Sequence, residues 1–244
     1  MKALITGGTS GIGLELAKYL SILGYDIIII ARNTNIKKEE FKTKVELYSY
    51  DLSEEDNCYK LYNKLAKDKI DIIINNAGFG DIGDYKKDNL DKEINMINLN
   101  IKSYQILTKL FIKNKNTKHI MNVSSIAGFF PAGPLMNTYY STKNYINCYT
   151  LSLYEELKRN NSKIHISLLC PGPVKTNFDK RAGIRISSKG LDPKKVAKYS
   201  IKKMLKNKLI IIPGIKNKLA YFFIRFIPIK ILLKITYNFQ NKKL

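Results

Sequence analysis

Seven short apolar runs, most of them rich in Ile, Val and Leu without polar alternation, recur along this chain with helix-patterned stretches between them. The runs cover residues 2–6, 26–31, 45–50, 71–75, 118–124, 164–170 and 208–212. A strand that alternates polar with apolar side chains has one wet face, whereas an unbroken apolar run is dry on both. The intervening helical patterns lie near 11–23, 53–68, 88–114, 137–159 and 193–206, the last opened by Asp192-Pro193 as N-cap and first helical residue. Strands alternating with helices predict a parallel α/β sheet, doubly wound, with helices on both faces. No repeat or linker divides the chain before residue 214.

Residues 215–244 read differently. Leu219, Phe222, Phe223 and Phe226 share one helical face, with Lys218 and Arg225 at its border. Pro228 interrupts the pattern, and Ile231, Leu232 and Ile235 resume it beside Lys230 and Lys234. A basic amphipathic C-terminal extension is expected here, after a first domain of residues 1–214. The net charge of +22 is concentrated toward this end: no acidic residue follows Asp192, and the last 52 residues carry 14 Lys and Arg. Such asymmetry points to an anionic partner, and peripheral contact with an anionic membrane is one expectation; packing on the sheet or on another subunit is the other.

The cysteines, Cys58, Cys148 and Cys170, are odd in number and form no CxxC pair, which predicts a reducing compartment and neither a disulfide framework nor a zinc site. His119 and His165 fall at strands, so no metal centre is expected. Met1-Lys2 leads straight into the first apolar run, and no charge-free apolar stretch of about 20 residues is present. A cytoplasmic protein, with membrane association only at the periphery, is the expectation.

The first strand ends in Thr6-Gly7-Gly8-Thr9-Ser10-Gly11-Ile12-Gly13, and a helix pattern follows at once. Glycines in a strand-to-helix turn let backbone N–H groups approach a pyrophosphate, and the helix N-terminus adds partial positive charge. Four further motifs follow in order: Asn75-Asn76-Ala77-Gly78, Asn122-Val123-Ser124-Ser125, Tyr139-Tyr140-Ser141-Thr142-Lys143, and Pro171-Gly172-Pro173-Val174 with Thr176. With its Thr-Gly-x3-Gly-x-Gly turn, the chain resembles the short-chain dehydrogenase/reductase family. The resemblance implies a single Rossmann-type doubly wound parallel sheet of about seven strands. It also implies an enzyme acting on CH–OH/C=O groups with a nicotinamide cofactor.

Tyr139 and Lys143 are four apart, one turn along a helix face. A phenol near pKa 10 is a poor acid at neutral pH, and a neighbouring ammonium lowers that value, so the pair suits proton transfer. By the resemblance Ser125 binds the substrate oxygen, with Ser124 its competitor, while Lys143 also holds the nicotinamide ribose. Tyr140 competes with Tyr139 but lies three residues before the lysine. Asn98 matches the family's helix asparagine in the proton relay, ahead of Asn100. The expected catalytic set is therefore Asn98, Ser125, Tyr139 and Lys143.

The expected cofactor contacts are Thr6, Gly7, Thr9, Ser10, Gly11, Ile12 and Gly13 at the first turn, and Asn76, Ala77 and Gly78 after the fourth strand. Asp51 and Leu52, Tyr139 and Lys143, and Pro171, Gly172, Val174 and Thr176 complete them. At the end of the second strand Ala31 stands where an acidic residue would hold the adenosine ribose, and Arg32 beside it suits a 2′-phosphate. NADP(H) is expected over NAD(H), and with it carbonyl reduction.

By the resemblance the pocket is closed by the loop and helix after the sixth strand, here residues 174–191, whose Lys175, Lys180, Arg181 and Arg185 read as a solvated lid in preference to an acidic-substrate site. Phe129, Phe130, Pro131 and Leu135 suggest an apolar wall and, with the amphipathic end, a lipid-like carbonyl substrate. A homodimer or homotetramer through the helices near 88–114 and 137–159 is expected by resemblance only. The alternative is a catalytically silent NADP(H)-binding regulatory protein, disfavoured because every catalytic position is filled. Specific nucleic-acid binding is not expected, as no recognition module accompanies the charge.

Overall fold

The apolar runs form seven parallel strands: β1 (Lys2–Thr6), β2 (Asp26–Ala31), β3 (Val45–Ser49), β4 (Ile72–Asn75), β5 (His119–Val123), β6 (His165–Leu169) and β7 (Ile210–Ile211). They join in one sheet of order β3-β2-β1-β4-β5-β6-β7. The computed structural model describes residues 1–86, 89–114, 116–185 and 190–244.

Both faces of the sheet are dry at its centre, which is why most of its strands read as apolar runs; edge strand β3, which contains Glu46, is only half-buried. Ala3, Ile5, Ile27, Ile29 and Ile72 pack on one side under α1 (Gly11–Ile22) and α7 (Pro193–Met204). Leu4, Ile28, Ile30, Ile73 and Ile120 face the other way, against α2 (Glu55–Leu65), α4 (Ser103–Ile112) and α5 (Asn137–Arg159). Each fully buried aliphatic side chain contributes about 1.5–3 kcal/mol. Asp192 caps α7, its carboxylate accepting from the Lys194 N–H at 3.0 Å.

Two expectations change in detail. β7 pairs over only two residues, because Pro213 follows shortly and lacks an N–H for the ladder. The stretch expected as one helix over 88–114 is instead α3 (Leu90–Ile97), a wide π turn at Asn98–Lys102, and α4. Residue 88 lies outside the described residues.

The winding reverses at β1: the chain runs outward to β2 and β3, then returns to β4 on the other side. The loops after β1 and β4 therefore diverge and leave a crevice at the strands' carboxyl ends. His119 and His165 open β5 and β6 at the opposite edge of the sheet, paired across the strands. After β7, α8 (Ile215–Phe223), a 3-10 turn at Ile224–Phe226 and α9 (Ile229–Asn241) close over the crevice.

Candidate active site

At the crevice lies a cavity of about 750 Å³ running from the β2 end to α9. Gly7 begins its cradle with φ of 64°, and a Cβ there would lie 2.8 Å from the Ala77 Cα. A Cβ on Gly13 would overlap the Asn76 side-chain amide and the Gly7 carbonyl. Close backbone approach thus requires glycine at both places. Ser10 is the N-cap of α1 in extended conformation and makes no side-chain cap bond, and a helix's first N–H groups have no intrahelical acceptor. A glycine-floored turn under free N–H groups fits the pyrophosphate of a dinucleotide.

The loop after β4 is bolted to this cradle. Thr6 Oγ1 accepts from the N–H groups of Asn76 (2.9 Å) and Ala77 (3.0 Å), and Asn76 Nδ2 donates to the carbonyls of Thr6 and Gly7. Deeper down, Asn75 Nδ2 donates to Thr108 Oγ1 and Asn122 Oδ1, and Asn122 Nδ2 to Thr150 Oγ1. This buried chain of amides and hydroxyls ties β4 and β5 to α4 and α5, so the loops that follow inherit a fixed spacing.

β5 and α5 supply the reacting end. Tyr139 and Lys143 sit one turn apart on α5, both buried, and Lys143 Nζ lies 5.9 Å from the Tyr139 ring centroid. Lys143 Nζ donates to the Val123 carbonyl at 3.2 Å. Ser124 and Ser125 both line the cavity, but Ser125 bonds the Tyr139 phenol, whereas the Ser124 hydroxyl donates to the Lys143 carbonyl at 3.0 Å. Tyr140 also lines the cavity, but its hydroxyl accepts from Gln240 Nε2 at 2.6 Å.

Electrostatics here differ from the sequence expectation. Burial holds the Tyr139 phenol well above its ordinary value, and the Ser125 hydrogen bond draws it back only in part. Burial brings Lys143 down to about 8. Desolvation disfavours the charged form of each group, so Tyr139 remains a neutral phenol near pH 7, with its proton in place.

The other expected positions divide clearly. Thr9, Ser10, Gly11, Ile12, Arg32, Asp51 and Leu52 line the cavity, and so do Ala77, Gly78, Pro171, Gly172, Val174 and Thr176. Thr6 does not line it; it is buried and serves as the brace described above. Asn98 does not line it either. The π turn instead carries Asn100 inward: its Oδ1 accepts from the Phe79 N–H, and its Nδ2 donates to the Phe79 carbonyl and Thr142 Oγ1. A Cβ at Gly78 would meet both Asn100 Oδ1 (2.8 Å) and Lys143 Nζ (3.6 Å), so the asparagine beside the lysine is Asn100. Two asparagines two apart look alike in sequence, and only the widened turn separates them.

Of the expected apolar wall only Phe130 lines the cavity; Phe129 packs on Tyr221 with ring centroids 4.4 Å apart. In the expected lid, Lys175, Lys180 and Arg185 are exposed, and residues 186–189 lie outside the described residues. Arg181 does more: its Nη2 donates to Ser10 Oγ at 3.2 Å, setting a cation over the cradle. Phe178, at the start of the short α6 (Phe178–Arg181), packs tilted against Tyr139 with ring centroids 5.5 Å apart, and Thr236 and Gln240 of α9 complete the wall.

The sequence profile of the short chain dehydrogenases matches residues 1–185. The chain belongs to the short-chain dehydrogenase/reductase family. A very-long-chain 3-oxoacyl-CoA reductase of Macaca fascicularis is 33% identical over 64% of this chain and 54% of its own length. The chain thus spans about half the length of that relative. A probable short-chain type dehydrogenase/reductase of Helicobacter pylori is 29% identical over 74% of this chain and 67% of its own. Among solved structures, a short-chain dehydrogenase from Sphingobium yanoikuyae in complex with NADPH superposes with TM-score 0.80 at 24% identity, over 92% of each chain. A family member from Burkholderia phymatum in complex with NAD gives 0.79 at 19% identity, over 91% of each chain. These structures share this protein's fold.

Proposed function

We propose that this protein is an NADPH-dependent oxidoreductase that reduces a ketone or aldehyde to an alcohol, with Tyr139 as the proton donor. The observation that carries the reading is the meeting of Tyr139, Ser125 and Lys143 at one end of the cavity whose other end is the glycine cradle.

The cradle of Gly7, Gly11 and Gly13 holds the cofactor's pyrophosphate in this reading, with Arg181 above it, and Asp51 and Leu52 face the adenine. Arg32, at the end of β2 with no acidic residue before it, favours a 2′-phosphate. Bound there, the cofactor would supply the hydride that the carbonyl carbon takes up. Ser125 donates a hydrogen bond to the carbonyl oxygen and orients it. Tyr139, kept protonated by burial, passes its proton to that oxygen as negative charge develops there. Lys143 holds the ribose and places a positive charge behind the phenol, and Asn100 fixes the backbone beside it. Hydride at carbon and proton at oxygen together complete the alcohol.

Phe130, Phe178, Ile184, Ile235 and Phe239 make the substrate side of the cavity largely apolar, which supports a lipid-like carbonyl compound. The named activity of the Macaca fascicularis relative points the same way. We further propose a cytoplasmic protein with free cysteines, of which Cys58 and Cys170 are buried, and pairing of copies through α3, α4 and α5. Exposed Leu90, Ile94 and Tyr145 on those helices support that pairing.

The test is NADPH consumption, followed at 340 nm, with short and long-chain ketones, aldehydes and 3-oxoacyl thioesters. Wild type is expected to consume NADPH with a member of the panel, and Tyr139→Phe to lose at least about 100-fold in kcat while binding NADPH equally well. Equal rates for wild type and Tyr139→Phe would refute the assigned chemistry.

A further inference from the structure

The helices α8 and α9 are mounted with their customary burial reversed. Of the 19 exposed large hydrophobic side chains among the described residues, 10 fall within residues 215–244. Leu219, Phe222, Phe223 and Phe226 stand outward on α8 and its 3-10 extension, Phe226 at 69% exposure. Ile231, Ile235 and Phe239 form a second row along α9. An amphipathic helix that packs on its own domain turns such a row inward.

Beside the packing of Tyr221 of α8 on Phe129 and the core beneath it, what holds the hairpin down is largely polar. Asn217 Nδ2 donates to the Pro213 carbonyl, and the Asn217 side chain fills the space a Cβ on Gly172 would need. Gln240 bonds Tyr140, Thr236 is buried on the inner side of α9, and the Lys243 carbonyl accepts from the Arg185 N–H at 2.9 Å. Leu232 is the large aliphatic side chain that α9 buries. The inner stripe is thus committed to the cavity wall, and the apolar rows remain exposed to solvent.

Charge identifies the partner. Residues 215–244 carry seven Lys and Arg and no acidic residue. A second copy docking face to face would bring fourteen cations together with no carboxylate to pair them. A nucleic acid would engage the cations and leave Phe222, Phe223 and Phe226 in water. An anionic bilayer satisfies both features, taking Phe and Ile side chains into the boundary between headgroups and acyl chains while its phosphates face the lysines.

We propose that the outer face of α8 and α9 docks on anionic lipid membranes. Ile235 and Phe239 belong both to this face and to the cavity lining, so docking sets the substrate cavity's rim against the bilayer. The binding itself does not depend on the reductase reading, because it is measured without turnover.

The experiment is vesicle flotation of the full chain with phosphatidylcholine alone and with a 3:1 phosphatidylcholine–phosphatidylglycerol mixture, at low and high salt. Wild type is expected to float with the anionic vesicles, to stay behind with the neutral ones, and to bind less as salt rises. Phe222→Glu with Phe226→Glu is expected to weaken binding at least tenfold, with the melting temperature and NADPH affinity unchanged. Should that pair disturb folding, Arg225→Gln with Lys230→Gln and Lys234→Gln reads the same face through the salt slope. The proposal is overturned if wild type fails to float with anionic vesicles, or if a folded variant floats as well as wild type. It is equally overturned if light scattering finds a dimer that the Phe→Glu pair splits while lipid binding is absent, since a second copy then covers the face.

Discussion

Replacing Arg32 with alanine separates the two nicotinamide cofactors, and the structure sets the size of the effect. The Arg32 side chain is 69% exposed, with Nη1 3.7 Å from Asp51 Oδ2. A charge-assisted bond to a 2′-phosphate contributes about 1.5–3 kcal/mol. Solvent exposure and release of the Asp51 pair, about 0–1 kcal/mol for a surface ion pair, trim this to about 1–2 kcal/mol. At about 1.4 kcal/mol per tenfold, Arg32→Ala should weaken NADPH roughly 5- to 30-fold. NADH, which has no phosphate at that place, should change by less than about twofold. The assay is a fluorescence titration of each cofactor in parallel, repeated at higher salt, where the NADPH difference should shrink. The companion change, Ala31→Asp, puts a carboxylate where the phosphate would lie and should favour NADH. If Arg32→Ala weakens both cofactors equally, or neither, the assignment of NADP(H) through this residue fails.

Three other outcomes follow from the geometry. Asn100→Ala removes the partner of the half-buried Phe79 N–H and carbonyl, at about 1 kcal/mol for each bond lost, so urea melts should reveal a clear loss with reduced turnover; Asn98→Ala, half-exposed at the turn's start, should stay within about 0.5 kcal/mol. Lys143→Met should abolish turnover yet raise stability at pH 7 by about 1–3 kcal/mol. The buried lysine titrates near 8 in place of 10.5, which costs about 3 kcal/mol at 1.36 per unit, offset by one lost hydrogen bond. The unfolded chain binds the extra proton between pH 8 and 10.5, so wild-type stability from this group should rise across that window and the variant's should not. A flat difference in calorimetric melts would contradict it. Finally, kcat/KM for reduction should fall above about pH 8 as Lys143 loses its charge, while Tyr139, raised by burial, keeps its proton. A rate that climbs through pH 9 would speak against these roles.

Much of this architecture is legible in the sequence because its signals are local and redundant. An all-apolar run such as Ile27–Ile30 has no stable place except between two helical layers, and each of the five motifs sits at a strand end or helix start that the pattern already marks. Tyr139 and Lys143 are likewise fixed by a single helical turn. The choice between Asn98 and Asn100 is of another kind. It depends on a π turn that changes which side chain faces inward, and the Asn100 side chain carried inward bonds Phe79, 21 positions away in the chain. Arg181 escapes for the same reason, since its partner Ser10 lies 171 residues distant.

The C-terminal hairpin exposes a deeper ambiguity. An amphipathic pattern predicts that a helix has two chemically different faces, and the breaks at Gly214 and Pro228 place its ends, yet nothing in the period states which face turns inward. Ordinarily apolar burial decides. Here the site beneath α9 already contains Tyr140, whose hydroxyl needs a partner in a buried setting, and Gln240 meets that need at 2.6 Å. An unpaired buried hydroxyl costs about as much as a large aliphatic side chain gains by leaving water. The polar stripe can therefore compete for the inward position, and with Leu232 beside it the stripe takes that position. Replacing Gln240 with leucine tests the balance. If the polar contact holds α9, the substitution should raise the segment's hydrogen exchange and tryptic cleavage at Lys230 and Lys234. Unchanged exchange would mean that Leu232 and the backbone bond from Arg185 to Lys243 suffice, and that Gln240 contributes to the cavity's chemistry alone.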